Sequence, residues 1–284
     1  LNSYAEITKD CLTNKYNRTL FEFSRKSTNM WPKFLEEIQS NLDYDNSVSI
    51  IKKSGYSTGT YIINNTAADS LDDENFKSIR STLIKYKEPY EDFNPKLIPN
   101  YLPAEKNRAL KSIFIQNEGW LNPRILLDSI QLVLSKYKNV NFLDCTVKAL
   151  NATKKINYVI TDNNLKIYAD KFLLATGASV SGLINKSKIN LNMPKLFYGI
   201  GNSLELITPY INKNVIRTPN RGGACGVYAI PYGSNNKKLI IGASNLISVK
   251  PFKYGRLISI SHLLKSATEE INLNLSNALI KYIN

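Results

Sequence analysis

Apolar positions recur at helical spacing over residues 17–39, where Phe21, Phe23, Trp31, Phe34, Leu35 and Ile38 form a stripe. Pro32 within that stripe predicts a break or a first helical turn. Two strands follow, Val48–Lys52 and Thr58–Ile63, joined by Lys53-Ser54-Gly55-Tyr56. Residues 66–110 are polar, with Asp69, Asp72 and Asp73 ahead of Phe76 and prolines at 89, 95, 99 and 103, a pattern of short helices and loops. The stretch from 113 to 177 is the most regular. Ile113-Phe114-Ile115 predicts a short strand, and Asn122-Pro123 a helix start with Asn as cap and Pro in the first turn. Leu126, Ile130, Val133, Leu134 and Tyr137 then mark one helical face ending near Lys138. Thr146–Leu150 predicts a strand, and Tyr158–Thr161 and Leu165–Ala169 a hairpin about Asp162-Asn163-Asn164. Phe172-Leu173-Leu174-Ala175 is a continuous apolar run closed by Thr176-Gly177, the pattern of a strand buried on both faces. Further strands of a second, antiparallel sheet are expected at 196–200, 214–218, 226–231 and 238–243, with helix from Leu257 to the end.

Composition narrows the chemistry. The 284 residues are 43% apolar and 21% charged, a soluble globular composition of one large domain or two closely joined ones. His262 is the single histidine, so a multi-histidine metal site is excluded and a His-dependent triad would have to pass through it. Cys11, Cys145 and Cys225 are far apart, which excludes a C-x-x-C redox pair and a thiolate zinc knuckle. No metal site is expected, and reactivity, if the chain serves an enzyme, is expected to come from outside its own side chains.

The net charge of +14 suggests nucleic acid at first sight. The basic residues are scattered, however, and the densest runs are the pairs Lys52-Lys53, Lys154-Lys155 and Lys237-Lys238. A solvated basic surface is the simpler reading; a phosphate-binding face or an acidic partner chain are the alternatives. No apolar run approaches the ~20 residues that cross a bilayer, and no signal peptide is visible. A cytoplasmic location is expected. Leu1 stands where a Met would begin a gene product, so the chain is expected to follow a cleavage or a preceding segment.

A dinucleotide-binding loop needs G-x-G-x-x-G after a strand, because glycines let backbone N–H groups reach a pyrophosphate. Gly199-Ile200-Gly201 has Leu204 where the third Gly belongs, and reads as a strand corner. Gly55-Tyr56-Ser57-Thr58-Gly59-Thr60 lacks the Gly-Lys-Ser/Thr ending of a phosphate loop. Gly222-Gly223-Ala224-Cys225-Gly226 reads as a sheet bend.

Several stretches nevertheless stand in a meaningful order: Gly55-Tyr56-Ser57-Thr58-Gly59-Thr60, Glu118-Gly119-Trp120-Leu121-Asn122-Pro123-Arg124, Ala169-Asp170-Lys171-Phe172-Leu173-Leu174-Ala175-Thr176-Gly177-Ala178, then Tyr228-Ala229-Ile230-Pro231 and Leu239-Ile240-Ile241-Gly242-Ala243-Ser244. Over residues 20–250 this set resembles the FAD-dependent amine and amino-acid oxidase family, the glycine oxidase and D-amino-acid oxidase group. The resemblance implies an α/β (α+β mix) chain: part of a Rossmann-like FAD-binding domain with a β-meander, and an antiparallel-sheet substrate domain. It divides the chain into a helical and two-stranded cap region (1–110), part of the FAD domain (111–180), substrate-domain strands (181–250) and a C-terminal helix (251–284). It implies that Thr146 and Val147 hold the adenine end of FAD by their backbone, and that Ala175, Thr176 and Gly177 pack near its phosphate and ribose. Tyr228 matches a position that can bond a substrate carboxylate, against the alternative of an ordinary strand tyrosine. Arg217 and Arg221 are anion candidates by chemistry, because a guanidinium grips a carboxylate with two parallel bonds, against the alternative of solvated loop arginines. No catalytic residue is assigned.

The family's Gly-rich βαβ unit and its G-x-R-P segment are not in this sequence, so either another polypeptide supplies them or the chain is one piece of a split or processed enzyme; a companion chain carrying the Gly-rich unit is the favoured expectation. The expected activity is oxidation of a C–N bond in a small amine or amino acid. A non-catalytic binding or scaffold subunit of the same fold is the alternative, and nucleic-acid binding the least favoured reading.

Overall fold

In the computed structural model, the residues described are 1–42, 56–66, 68–153, 155–189, 196–221, 225–232, 237–244, 246–249 and 257–283. The strand expected at Val48–Lys52 lies outside them. The chain divides into two units: Leu1–Lys136 with Gly201–Asn245 and Tyr254–Asn284, and Tyr137–Ile200 with Leu246–Lys253.

The first unit is built on an eight-stranded mixed sheet. Its strands are β1 (Ser57–Asn65), β2 (Tyr90–Phe93), β3 (Ala109–Trp120), β8 (Leu204–Ile207), β9 (Val215–Arg217), β10 (Tyr228–Tyr232), β11 (Lys238–Gly242) and β13 (Leu279–Ile283), in the spatial order β13-β8-β11-β10-β9-β1-β3-β2. The strands expected near 214–243 are present, yet the sheet is not purely antiparallel, because β1 pairs parallel with β9 at Thr60–Val215 to Ile62–Arg217. That pairing joins the early strands and the late ones into a single sheet.

Alternation along β1 sends Ile62 to one face and Tyr61 and Ile63 to the other. Ile62 packs with Ile113 and Ile115 of β3, with Tyr4, Ile7 and Phe21, and with a helix α2 (Ser70–Tyr86) through Phe76, Ile79 and Leu83. Tyr61 and Ile63 join Leu204, Leu206, Ile216, Ala229, Leu239 and Ile241, covered by Leu263, Ala267, Ile271 and Leu275 from helix α5 (Leu257–Ser266) and the turns after it. The sheet is thus filled on one face across β1 and β8–β11 and on the other over β1 and β3, at about 1.5–3 kcal/mol for each fully buried aliphatic side chain.

Several expectations change. Helix α1 (Lys15–Ser40) runs through Pro32 without a break; the proline is exposed, where water can serve the carbonyl that loses its donor. Only Phe21, Leu35 and Ile38 of its apolar residues are buried, and Phe23 and Phe34 face outward. The stretch 66–110 contains the 17-residue α2, capped by the Asp69 side chain accepting from the Asp72 N–H. It is longer than the short helices expected there, because its second buried row is polar, Asp72, Asn75 and Thr82, and leaves little apolar periodicity. β3 is 12 residues long, with polar ends that hide it. The chain does not end in helix: after α5, a π turn (Ala267–Ile271) and a 3-10 turn (Leu273–Asn277) lead into β13, which pairs with β8. Helix α3 (Pro123–Ser135) starts as expected, with the Asn122 side chain accepting from the N–H groups of Arg124 and Ile125, and stops at Ser135, short of Lys138.

The second unit carries a three-stranded antiparallel meander, β4 (Val147–Ala152), β5 (Ile156–Thr161) and β6 (Lys166–Tyr168), turning about Asn164 at φ 63° as the sequence predicts. Helix α4 (Val180–Ser187) packs Leu183 against Leu150 and Val159. Strands β7 (Tyr198–Ile200) and β12 (Leu246–Ser248) form a separate pair, so 196–200 belongs to neither large sheet. The run Phe172–Ala175 forms no strand: it has no pairing neighbour among the described residues, and Leu173 is 92% exposed. Phe172 and Leu174 pack against the core of Leu150, Val159 and Leu183, and burial of the other side would require a strand alongside, which is absent among the described residues.

Among the described residues, no helix is long and apolar enough to cross a membrane, and no group of three or more His, Cys, Asp and Glu side chains could hold a metal ion.

Candidate functional site

In the first unit the site is organised by the opening residues of the chain. Leu1 pairs with Gly119 through both backbone groups, at 3.0 and 3.2 Å. Gly119 is required by close approach: a Cβ there would stand 1.9 Å from the Ser57 carbonyl oxygen of β1. Beside it the buried Glu118 carboxylate accepts N–H bonds from Ser3 (2.5 Å), Tyr4 and Ala5 (3.1 Å), gathering the first turn of the chain. Burial pushes the Glu118 carboxyl above its ordinary range, against these N–H groups and the Arg217 charge, which pull it down.

That turn delivers Glu6 to Arg217. The Arg217 guanidinium is 2% exposed and donates to Glu6 Oε1 (2.6 Å), Asn220 Oδ1 (2.9 Å) and the Thr218 carbonyl (3.3 Å). Asn220 Nδ2 donates to the other Glu6 oxygen at 2.8 Å. Burial works to raise the Glu6 carboxyl, and Arg217 with Asn220 outweighs it, so Glu6 titrates below the usual carboxylate range. Glu6 also lines a cavity of about 490 Å³ with Ser3, Thr8, Cys11, Asn17 and Phe21.

Tyr228 lies directly opposite Arg217 in the β9–β10 pairing, and opposite Gly242 on the other side. Opposed residues share a face of a sheet, so Tyr228 stands on the same face as Arg217. Its ring covers Gly242, where a Cβ would lie 2.1 Å from a ring carbon. Desolvation raises the Tyr228 phenol. Along this face Tyr228, Ile230, Tyr232 and Ile240 are all half-buried, a shallow apolar surface bordered by the Arg217–Glu6 pair.

Arg221 is held elsewhere in the same unit. Its Nε donates to Asp72 (2.8 Å), and its two terminal nitrogens grip Glu270 at 3.1 and 2.7 Å. Asn65 donates to the same Glu270 at 2.7 Å. Burial raises the Asp72 carboxyl by more than the Arg221 charge lowers it. Neither arginine is therefore a solvated loop residue. Each is bound to carboxylates of its own chain, and an incoming anion at either must compete with them.

The second unit holds the other five sequence-predicted residues. The Thr146 carbonyl accepts from the Asp162 N–H (2.8 Å), and its N–H donates to Asp162 Oδ1 (3.2 Å). Val147 begins β4, an edge strand of the meander. Ala175 and Thr176 are exposed, and Gly177, at φ 51°, has open space where a Cβ would stand. They lead straight into α4. The sequence did not single out Glu6, Asp72 or Glu270, which sit in ordinary polar stretches; Glu118 carried a signal, as the only acid between 109 and 121 and the neighbour of a glycine.

No protein-family model matches the chain, and no curated protein matches it. Solved structures do. Glycine oxidase from Geobacillus kaustophilus aligns over 93% of this chain at a TM-score of 0.71 and 15% identity. The fold is that of glycine oxidase. Iminodiacetate oxidase from Chelativorans sp. BNC1 aligns over 92% at 0.71 and 15% identity, and L-alpha-glycerophosphate oxidase from Mycoplasma pneumoniae, solved with FAD bound, over 100% at 0.67 and 14% identity. The chain spans 65%, 66% and 70% of those three chains, so it accounts for about two thirds of a glycine oxidase fold. At the level of fold, the resemblance read from the ordered motifs is borne out.

Proposed function

We propose that this chain is part of an FAD-dependent oxidoreductase that oxidises a C–N bond in a small amine or amino acid, with the rest of the FAD site supplied by another polypeptide. The observation that carries this reading is the glycine oxidase fold, shared over nine tenths of the chain with two enzymes whose names state such substrates. Leu173, exposed between Phe172 and Leu174, which pack against the chain's own core, supports the companion: a strand laid beside it would bury Leu173 and complete the pattern of its sequence. The functional division into a cap and substrate region and part of an FAD domain belongs to the same proposal.

The open backbone of Ala175, Thr176 and Gly177 ahead of α4 fits a phosphate or ribose, since nothing stands within 4 Å of the missing Gly177 Cβ. Val147, on an edge strand, fits an adenine edge; Thr146 would share its backbone groups with Asp162. When bound, the flavin would accept the hydride from the carbon next to nitrogen. The chain's part is to bind, orient and exclude water: the apolar row Tyr228, Ile230, Tyr232 and Ile240 shields the substrate, and the Tyr228 hydroxyl, kept protonated by burial, donates to a carboxylate. Arg217 sets the local positive potential, partly balanced by Glu6.

The test is to produce the chain with and without the polypeptide encoded beside it and to record visible absorption. Flavin bands in the complex, free flavin on denaturation, and reduction by amines or amino acids under anaerobic conditions are expected. A colourless complex that releases no flavin removes the oxidoreductase and leaves a binding or scaffold role for the same fold.

A further inference from the structure

The outer face of α1 carries a second apolar stripe that the fold does not use. Tyr16, Leu20, Phe23, Met30 and Phe34 are 75%, 56%, 69%, 66% and 39% exposed, and with Ser27 they recur at spacings of four, three, four, three and four. On a helix this spacing forms a single line, the seam that one helix offers to another in a coiled coil. From Tyr16 to Phe34 the stripe rises through 18 residue steps, roughly 27 Å at 1.5 Å per residue. Of the buried residues, Phe21 and Leu35 lie on the neighbouring face, and Ile38 continues the line where it enters the core four residues beyond Phe34. Hollows open beside both of its ends, one of about 490 Å³ lined by Leu20 and Phe21, the other of about 420 Å³ lined by Met30, Trp31 and Phe34. Scattered exposed apolar residues need no explanation, but five on one line, interrupted only by Ser27, mark an interaction surface.

The charges beside the stripe say what covers it. Lys15, Lys26 and Lys33 follow one another at 11 and 7 residues, which places them in a row on its solvent side. Lys33 has Glu37 at 3.9 Å, while Lys15 and Lys26 have no carboxylate partner among the described residues. Glu22 is turned away, accepting from Tyr86 at 3.3 Å. A second copy of α1 would bring a like-charged row against this one, on a chain whose net charge is already +14. We propose that the outer face of α1 is the docking surface for an amphipathic helix of another polypeptide, with apolar residues at alternating three- and four-residue spacing and an acidic flank. The partner's side chains seat between Leu20, Phe23, Met30 and Phe34, and its carboxylates meet Lys15 and Lys26.

The probe is a labelled synthetic helix of three heptads with Leu at the seam and Glu at the flanks, beside a twin carrying Lys for Glu, titrated against the full chain by fluorescence anisotropy. The Glu helix is expected to bind and the Lys helix to bind at least about tenfold more weakly, a difference that shrinks as salt screens the flanks. Phe23→Glu and Met30→Glu lie on exposed positions and leave the circular dichroism spectrum unchanged, and each weakens the Glu helix by about tenfold or more. Lys26→Glu narrows the gap between the two helices. Equal binding of both helices, binding of neither, or indifference to Phe23→Glu and Met30→Glu overturns the proposal. So does a dimer of the chain, seen by sedimentation, that Phe23→Glu dissolves, because a second copy then occupies the face.

Discussion

At the scale of the residue, the Arg217–Glu6 pair couples charge to folding. Arg217 is fully enclosed and Glu6 is half exposed, so the pair is worth less than a wholly buried one, but removing the arginine leaves Glu6 and Asn220 without their shared donor. Arg217→Met is expected to cost about 2–4 kcal/mol, read as a fall in urea midpoint at neutral pH. The pH dependence has a definite sign. Glu6 is depressed in the folded chain, so its contribution is present above the unfolded carboxylate range, near about 4.3, and is lost as pH falls through the lower folded value. Urea midpoints of the native chain should therefore fall more steeply below about pH 4.5 than those of Glu6→Gln. Parallel curves for the two would show that Glu6 does not titrate in this window. Asp72 works in the opposite direction: its raised carboxyl makes its ionisation a cost that grows as pH climbs above the unfolded value.

Secondary elements show where the sequence was informative and where it was silent. α3 and the β5–β6 turn were legible because each is specified locally, by an Asn-Pro cap and by an Asn that tolerates positive φ. β13 was not, because Leu279–Ile283 has all five side chains exposed and becomes a strand through its pairing with β8, over 70 residues earlier in the chain. α2 hid behind buried polar residues whose partners lie far away, Asp72 with Arg221 and Asn75 with the Asn220 carbonyl. The site was half legible for the same reason. Arg217 and Arg221 could be named from chemistry and Tyr228 from the family resemblance, while the carboxylates that engage the two arginines come from distant segments. Two glycines make this difference measurable. Gly119→Ala places a Cβ on the Ser57 carbonyl, and β1 or β3 must move; a loss of about 3 kcal/mol or more in chemical denaturation is expected. Gly182 lies inside α4 with open space where a Cβ would stand, so Gly182→Ala is expected to stabilise by about 0.5–1 kcal/mol. If both substitutions proved equally mild, the close approach of β1 to Gly119 would be wrong.

For the molecule as a whole, the two units differ in how far they satisfy themselves. The first has a sheet whose two faces are both packed at β1, with a dense polar bracing of Glu118, Arg217 and Arg221. The second leaves Phe142, Leu143, Leu165, Leu173 and Ile247 exposed around a small core of Leu150, Val159 and Leu183. In the run Phe172–Ala175, Phe172 and Leu174 pack on that core while Leu173 is exposed, and the proposed companion would cover Leu173. Leu173→Asp should therefore leave the thermal unfolding of the isolated chain unchanged, within about 0.5 kcal/mol as for a surface change. In the assembled protein the same aspartate would be buried without a partner, which costs several kcal/mol. Loss of co-purification and of bound flavin, with no loss of stability in the chain alone, is the expected pair of results. A variant that still assembles and retains flavin would place the companion's contact elsewhere than along Phe172–Ala175, and a variant that unfolds by itself would show that Leu173 already serves this chain's own core.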